Sequence, residues 1–208
     1  MLAQYRGLNI DEFRVVFYLT KKSSFHIDGW VEFSLSNRVN AIELNLLNYN
    51  RRRSPLEHCT FPYRLLGLSA LGSCLKNSCN MNPCMFVGFK FLKTLSLKAV
   101  DVGDEAVEYF LSNCLIFEWL FLHENRVLIN LKVVGPSLML RYLEVVGCWG
   151  VKTIEICATN LVSFTYDGEL PKMLLKNVLL LVEVLINLYA SIQFERLCVL
   201  SFHVVFLS

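Results

Sequence analysis

Leu120-Phe121-Leu122-His123-Glu124-Asn125 and Leu143-Glu144-Val145-Val146-Gly147-Cys148 follow one pattern, an apolar-x-apolar tripeptide ending three residues later in Asn or Cys. Alternation with a period of two is the signature of a strand with one buried face, so the flanking apolar residues point inward and the middle residue points out. A short polar residue suits the position where the chain leaves the strand, because its side chain can bond backbone groups that have lost their ladder partners. The second apolar residue of each tripeptide recurs along the chain at Leu44, Leu68, Leu97, Leu122, Val145 and Tyr166, with Ile186 or Leu188 as the next member. The position numbers differ successively by 24, 29, 25, 23 and 21.

Strands that return at roughly 20–29 residues define a leucine-rich repeat. The expected fold is therefore an α/β repeat, a leucine-rich-repeat solenoid with parallel strands, strand-rich and with few helices. The long interval has a cause in the segment 73–84, where Ser, Cys, Asn, Lys and Pro replace the periodic apolar residues, as in an inserted loop. A second series, Leu131-Lys132-Val133 and Ile154-Glu155-Ile156, trails the first and predicts strands on the opposite wall of the coil. Gly135, Gly147, Gly150 and Gly168 are the expected corners, since glycine adopts positive φ without strain. One helix is predicted, with Asp101 or Asp104 as its cap and Ala106, Val107, Phe110 and Leu111 at helical spacing through Asn113.

Composition supports a buried, repetitive core: 54% of residues are hydrophobic and only 18% charged, against about 45–50% and 25% in ordinary domains. The 208 residues read as one repeat domain. Leu197 to Ser208 ends within an apolar run, and the expectation is of a domain incomplete at both ends, because terminal repeats need polar caps. Met1-Leu2-Ala3-Gln4-Tyr5-Arg6 does not read as a signal peptide. Val178 to Ile192 is interrupted by Glu183 and Asn187 and is shorter than the roughly 18 residues needed to span a bilayer, so it is expected to be a buried strand or helix.

Chemistry-bearing motifs fail at specific positions. Eight cysteines without a secretory leader suggest reduced thiols, with Cys114, Cys148 and Cys157 as small buried residues at repeat corners. Cys74, Cys79 and Cys84 are spaced too widely for the usual zinc pairs, even with His58-Cys59 upstream. Gly67-Leu68-Ser69-Ala70-Leu71-Gly72 has one residue too many for a nucleophile elbow, and His123-Glu124 lacks the second histidine of a zinc-protease helix. No catalytic residue, metal ligand or cofactor site is expected, and the chain is not expected to be an enzyme. A formal net charge of +2, with Arg51-Arg52-Arg53 as one short basic run, supports no nucleic-acid surface.

In order and spacing, several longer phrases resemble the plant F-box/FBD/leucine-rich-repeat proteins. They are Ile27-Asp28-Gly29-Trp30-Val31, Arg38 to Leu44, Phe91 to Leu97, Leu111-Ser112-Asn113-Cys114, Val134 to Leu138 and Ile154 to Gly168. Leu115 departs from the proline usual after the Ser-x-Cys turn. The resemblance implies a protein-binding arm of a Skp-cullin-F-box ubiquitin ligase receptor; the expected location is cytoplasmic or nuclear, and no membrane or nucleic-acid partner is expected. In that family an N-terminal F-box docks the Skp-type adaptor. The stretch before Ile27 is too short for that module and reads as strand, and no FBD segment is expected at the other end. Adaptor binding is therefore expected only with an F-box upstream. The alternatives are a truncated, F-box-less gene product without ligase activity and, third, a hydrolase or metal site at Ser69 or among the cysteines. For an unknown target protein, the expected contact row is the outward middle residues Glu43, Ser96, Phe121, Glu144 and Thr165.

Overall fold

The computed structural model describes residues 10–17, 24–47, 58–66, 89–135, 138–192 and 195–205. The predicted row of strands forms an eight-stranded sheet. Its members, in spatial order, are β1 (Glu12–Val16), β2 (Ala41–Asn45), β4 (Thr94–Lys98), β6 (Trp119–His123), β8 (Tyr142–Val146), β10 (Ser163–Glu169), β12 (Glu183–Ile192) and β13 (Glu195–Val205). All pairs are parallel except β12 with β13. From β6 onward the chain alternates between this sheet and a three-stranded parallel sheet of β7 (Asn130–Val134), β9 (Thr153–Cys157) and β11 (Lys172–Lys176). The predicted second series thus forms its own sheet, with Leu131 beside Ile154 and Val133 beside Ile156, and gains an unforeseen third member in Lys172–Lys176.

The core lies between the two sheets because alternate residues of both are turned into it. Leu44, Leu97, Leu122, Val145 and Tyr166 stand side by side in one row at 0–1% exposure, and Ile186, not Leu188, continues it. Val15 begins the row on β1, a strand within the stretch expected to read as strand. Leu68 lies outside the described residues. Leu44 pairs directly with Leu97, so no strand of this sheet intervenes, and the two intervals that meet at Leu68 are one excursion divided in two. The excursion is tied back to the fold by β3 (Cys59–Thr60), which pairs with β5 (Val100–Asp101) in a two-stranded sheet, and by a 3-10 turn at Tyr63–Leu66. The expected 73–84 loop lies outside the described residues, as do Arg51-Arg52-Arg53, the Ser69 segment and the cysteine trio.

The predicted helix is α2, Asp104–Asn113, which buries Ala106, Val107, Phe110 and Leu111. Neither aspartate caps it. Gly103 occupies the cap position without a side-chain bond, Asp101 belongs to β5, and the Asp104 carboxylate reaches forward to the Ile129 N–H and the Asn130 amide at 2.8 and 2.9 Å. A further helix, α1 (Ser24–Ser36), has no counterpart in the sequence expectation; Ile27, Val31 and Leu35, spaced by four, turn inward from it. The apolar Val178 to Ile192 stretch is not a helix but leads into strand β12. No helix among the described residues is long and apolar enough to cross a membrane.

The corners also differ from expectation. Only Gly147 has positive φ, at 67°, and not Gly135, Gly150 or Gly168. The equivalent positions after β4 and β6 are Ala99 (φ 56°) and Glu124 (φ 53°). These three residues each donate their N–H to a carbonyl at or near the end of the neighbouring strand: Ala99 to His123, Glu124 to Val146, Gly147 to Asp167, at 2.8–3.0 Å. The ladder therefore continues one residue beyond each of these strands, and the residue that continues it lies in the left-handed region at all three.

Candidate interaction face

The Asn and Cys of the two defining phrases play related structural parts. Asn125 is buried; its amide donates to the Val102 carbonyl at 2.7 Å, and its oxygen accepts the Val127 and Leu128 N–H groups, both at 2.9 Å. Cys148 points its thiol at the Leu122 carbonyl, 3.4 Å away. Burial pushes the Cys148 and Cys114 thiols up to about 12, so both are small neutral core groups rather than nucleophiles. Cys157 is half-buried and ends strand β9 instead of forming a corner.

With the turns fixed in this way, the middle residues of the main strands fall in register. Arg14, Glu43, Ser96, Phe121, Glu144, Thr165 and Leu185 are successive neighbours across β1, β2, β4, β6, β8, β10 and β12. All five predicted contact residues thus stand in one line, about 4.8 Å from strand to strand. Their exposure differs. Ser96 is buried between Glu43 and Phe121, while the other four are half-buried.

Two aromatic residues escape the sequence reading. Trp119 and Tyr142 precede the first apolar residue of their tripeptides, pair in register, and stack with ring centroids 3.5 Å apart and planes 9° from parallel. Phe121 joins them, 5.9 Å from Trp119. The signal was available, since the residue before an inward one also faces out in a strand. Three half-buried rings on an outward surface offer apolar area with little side-chain entropy to lose on binding.

Charges frame this patch. Arg14 and Glu43 form an ion pair at 2.7 Å, and His123 Nε2 lies 2.9 Å from Glu144 Oε1, too bent for an ideal hydrogen bond. The His123 contact, opposed by partial burial and helped by His123 and Lys98 charge, holds the Glu144 carboxyl below its ordinary value. At the far end, Asn187 and the Tyr189 hydroxyl donate to the Asp167 carboxylate.

A second polar cluster, away from this row, is structural. His58 Nδ1 lies 3.1 Å from Asp101 Oδ1, the Arg126 N–H donates to the same oxygen at 3.0 Å, and the Arg126 guanidinium meets Oδ2 at 3.1 Å. Burial raises the Asp101 carboxyl, but bonds from His58 and Arg126 outweigh it and leave the group below its usual range. A carboxylate depressed on folding contributes stability in full above its unfolded pKa of about 3.9 and loses it as pH falls through the native value. Urea titrations from pH 7 to 3 should therefore show a smaller acid loss for Asp101→Asn than for the wild type; parallel losses would refute the assignment. No cluster of three metal-ligating side chains occurs among the described residues.

Two sheets, parallel except for β12 with β13, that share one core, with a strand-turn asparagine and an outward row in register, define a leucine-rich-repeat domain. The family described as At1g61320/AtMIF1, LRR domain, matches residues 1–203, and the chain belongs to it. Among curated Arabidopsis thaliana proteins, the putative F-box/LRR-repeat protein At5g02700 is 28% identical over 127 residues, 58% of this chain and 26% of that protein. The F-box/FBD/LRR-repeat protein At1g13570 is 33% identical over 119 residues, 57% of this chain and 26% of its own. The putative F-box protein At1g49610 is 30% identical over 167 residues, 79% and 40% respectively. The matched region spans about a quarter of the first relatives. No solved structure matches.

Proposed function

We propose that the chain is a protein-interaction module, the target-recognition arm of a Skp-cullin-F-box ubiquitin ligase receptor. In this reading residues 1–208 form one solenoid domain with 73–84 as an inserted loop, working in the cytoplasm or nucleus. The target lies along Glu43, Ser96, Phe121, Glu144 and Thr165. The observation that carries it is the register of that row, which sets Phe121 beside the stacked Trp119–Tyr142 pair. Relatives named as F-box/LRR-repeat proteins support the ligase context. A Skp-type adaptor joins only where an F-box is encoded upstream.

The test is a paired capture from plant cells, comparing wild type with Phe121→Ala by quantitative proximity labelling, followed by affinity measurement with the purified target. Loss of an aromatic anchor at the centre of an interface should weaken binding at least about tenfold. Because Phe121 is only half-buried, folding stability should change little, which circular dichroism checks. A target bound equally by both proteins removes the row from the interface. An absence of Skp-type adaptor from protein expressed at its native locus removes the ligase role.

A further inference from the structure

The small sheet ends at β11, while the main sheet carries two further strands. β11 is its last member, with β9 on one side and no strand on the other among the described residues, whereas the main sheet continues through β12 to β13. Burial falls along the small sheet's core rows at this end. In one row Leu131 and Ile154 are 0% and 1% exposed while Met173 is only half-buried; in the other, Val133 and Ile156 are fully buried while Leu175 is half-buried.

Beside β11 lies a groove of about 690 Å³, walled by Met173 and Leu175, by Leu179 and Leu181 of the following connection, and by Val184 and Ile186 of β12. All of its lining side chains are apolar. The position is that of a fourth small-sheet strand. Such a strand would extend both core rows, so it needs apolar residues at i and i+2, beside Met173 and Leu175. Its outward residues would neighbour Lys172, Leu174 and Lys176. Both lysines are exposed and take part in no ion pair among the described residues. Acidic residues flanking the apolar pair complement them.

We propose that this groove accepts an extended segment of a partner protein with the pattern acidic–apolar–x–apolar–acidic, laid as a strand along the open edge of β11. Backbone bonds to β11 supply affinity and the two buried side chains supply selectivity, as in other strand-addition sites. The pattern is symmetric, so either strand direction satisfies it. The groove shares no residue with the outward row, and its partner need not be the row's target.

The test uses the 208-residue chain and a fluorescent peptide, Ser-Glu-Ile-Leu-Ile-Glu-Ser, followed by anisotropy. The wild type should bind it at micromolar concentration, and the same peptide with Asp in both Ile places should not bind. Lys172→Glu with Lys176→Glu should weaken the acidic peptide about tenfold and bind a version flanked by Lys about tenfold better than the wild type does, with an unchanged circular dichroism spectrum. Failure of the acidic peptide to bind at 1 mM (about the weakest affinity of use) overturns the proposal. So does indifference to the charge exchange, or light scattering that shows a second copy of the chain filling the groove and not displaced by peptide.

Discussion

Phe110→Ala is expected to lower unfolding free energy by about 4 kcal/mol, the usual loss when a buried phenylalanine leaves a cavity. Phe110 is fully buried on α2, and its ring centroid lies 5.3 Å from Phe61, edge to face, and 5.6 Å from Phe89. Both neighbours lie within the long excursion between β2 and β4, one early and one late, so one ring ties the helix to two parts of that segment. Truncation removes the contacts together, and neither remaining ring can collapse into the space without leaving its own seat. Urea denaturation checks the value, and a midpoint fall in thermal unfolding of roughly 10 °C should accompany it. Phe110→Leu, which keeps most of the volume, should lose less than half as much. A loss under about 1 kcal/mol for the alanine variant would mean that α2 is not seated as described.

Asn125→Ala ranks next, at about 3 kcal/mol. The substitution leaves the Val102 carbonyl and the Val127 and Leu128 N–H groups without their partner at one turn. Val127 is exposed enough for water to replace its bond, whereas Leu128 is buried, so the penalty falls on the inner groups. Asn125→Cys imitates the next repeat, where a thiol fills the turn, and should recover part of the loss. Equal values for the two variants, measured by the same denaturation, would show that the side-chain bonds are not what holds the turn.

The strand rows were legible because inward residues must return to one face, and the outward row followed from the same alternation. Leu68 illustrates the limit of spacing as an argument. The stretch from Leu44 to Leu97 divides into two plausible repeats, and periodicity alone cannot tell one long turn from two short ones. Helix α1 was hidden for a different reason. Its inward residues, Ile27, Val31 and Leu35, have helical spacing, but Gly29 and the aromatic, β-branched composition pull the local preference toward strand, and burial against the sheet decides. Ala99 and Glu124 are left-handed corners but carry no compositional mark of one. At the candidate site, Trp119 and Tyr142 required attention to a second outward position on each strand. The antiparallel turn of β13 has no signature in its apolar sequence, which suits either direction.

The direct pairing of β2 with β4 has a consequence for how chains of this kind diverge in length. Closing an excursion costs only about 0.6 kcal/mol for each doubling of its length. Residues can therefore be gained or lost between Leu44 and Leu97 at small thermodynamic cost, provided β3 keeps its pairing with β5 and the sheet register is untouched. The near-constant steps from Leu122 to Val145 and Tyr166 have no such latitude, because from β6 onward each turn must also deliver a strand to the second sheet. Length variation among homologues should accumulate between β2 and β4 and leave the joints after β6 constant.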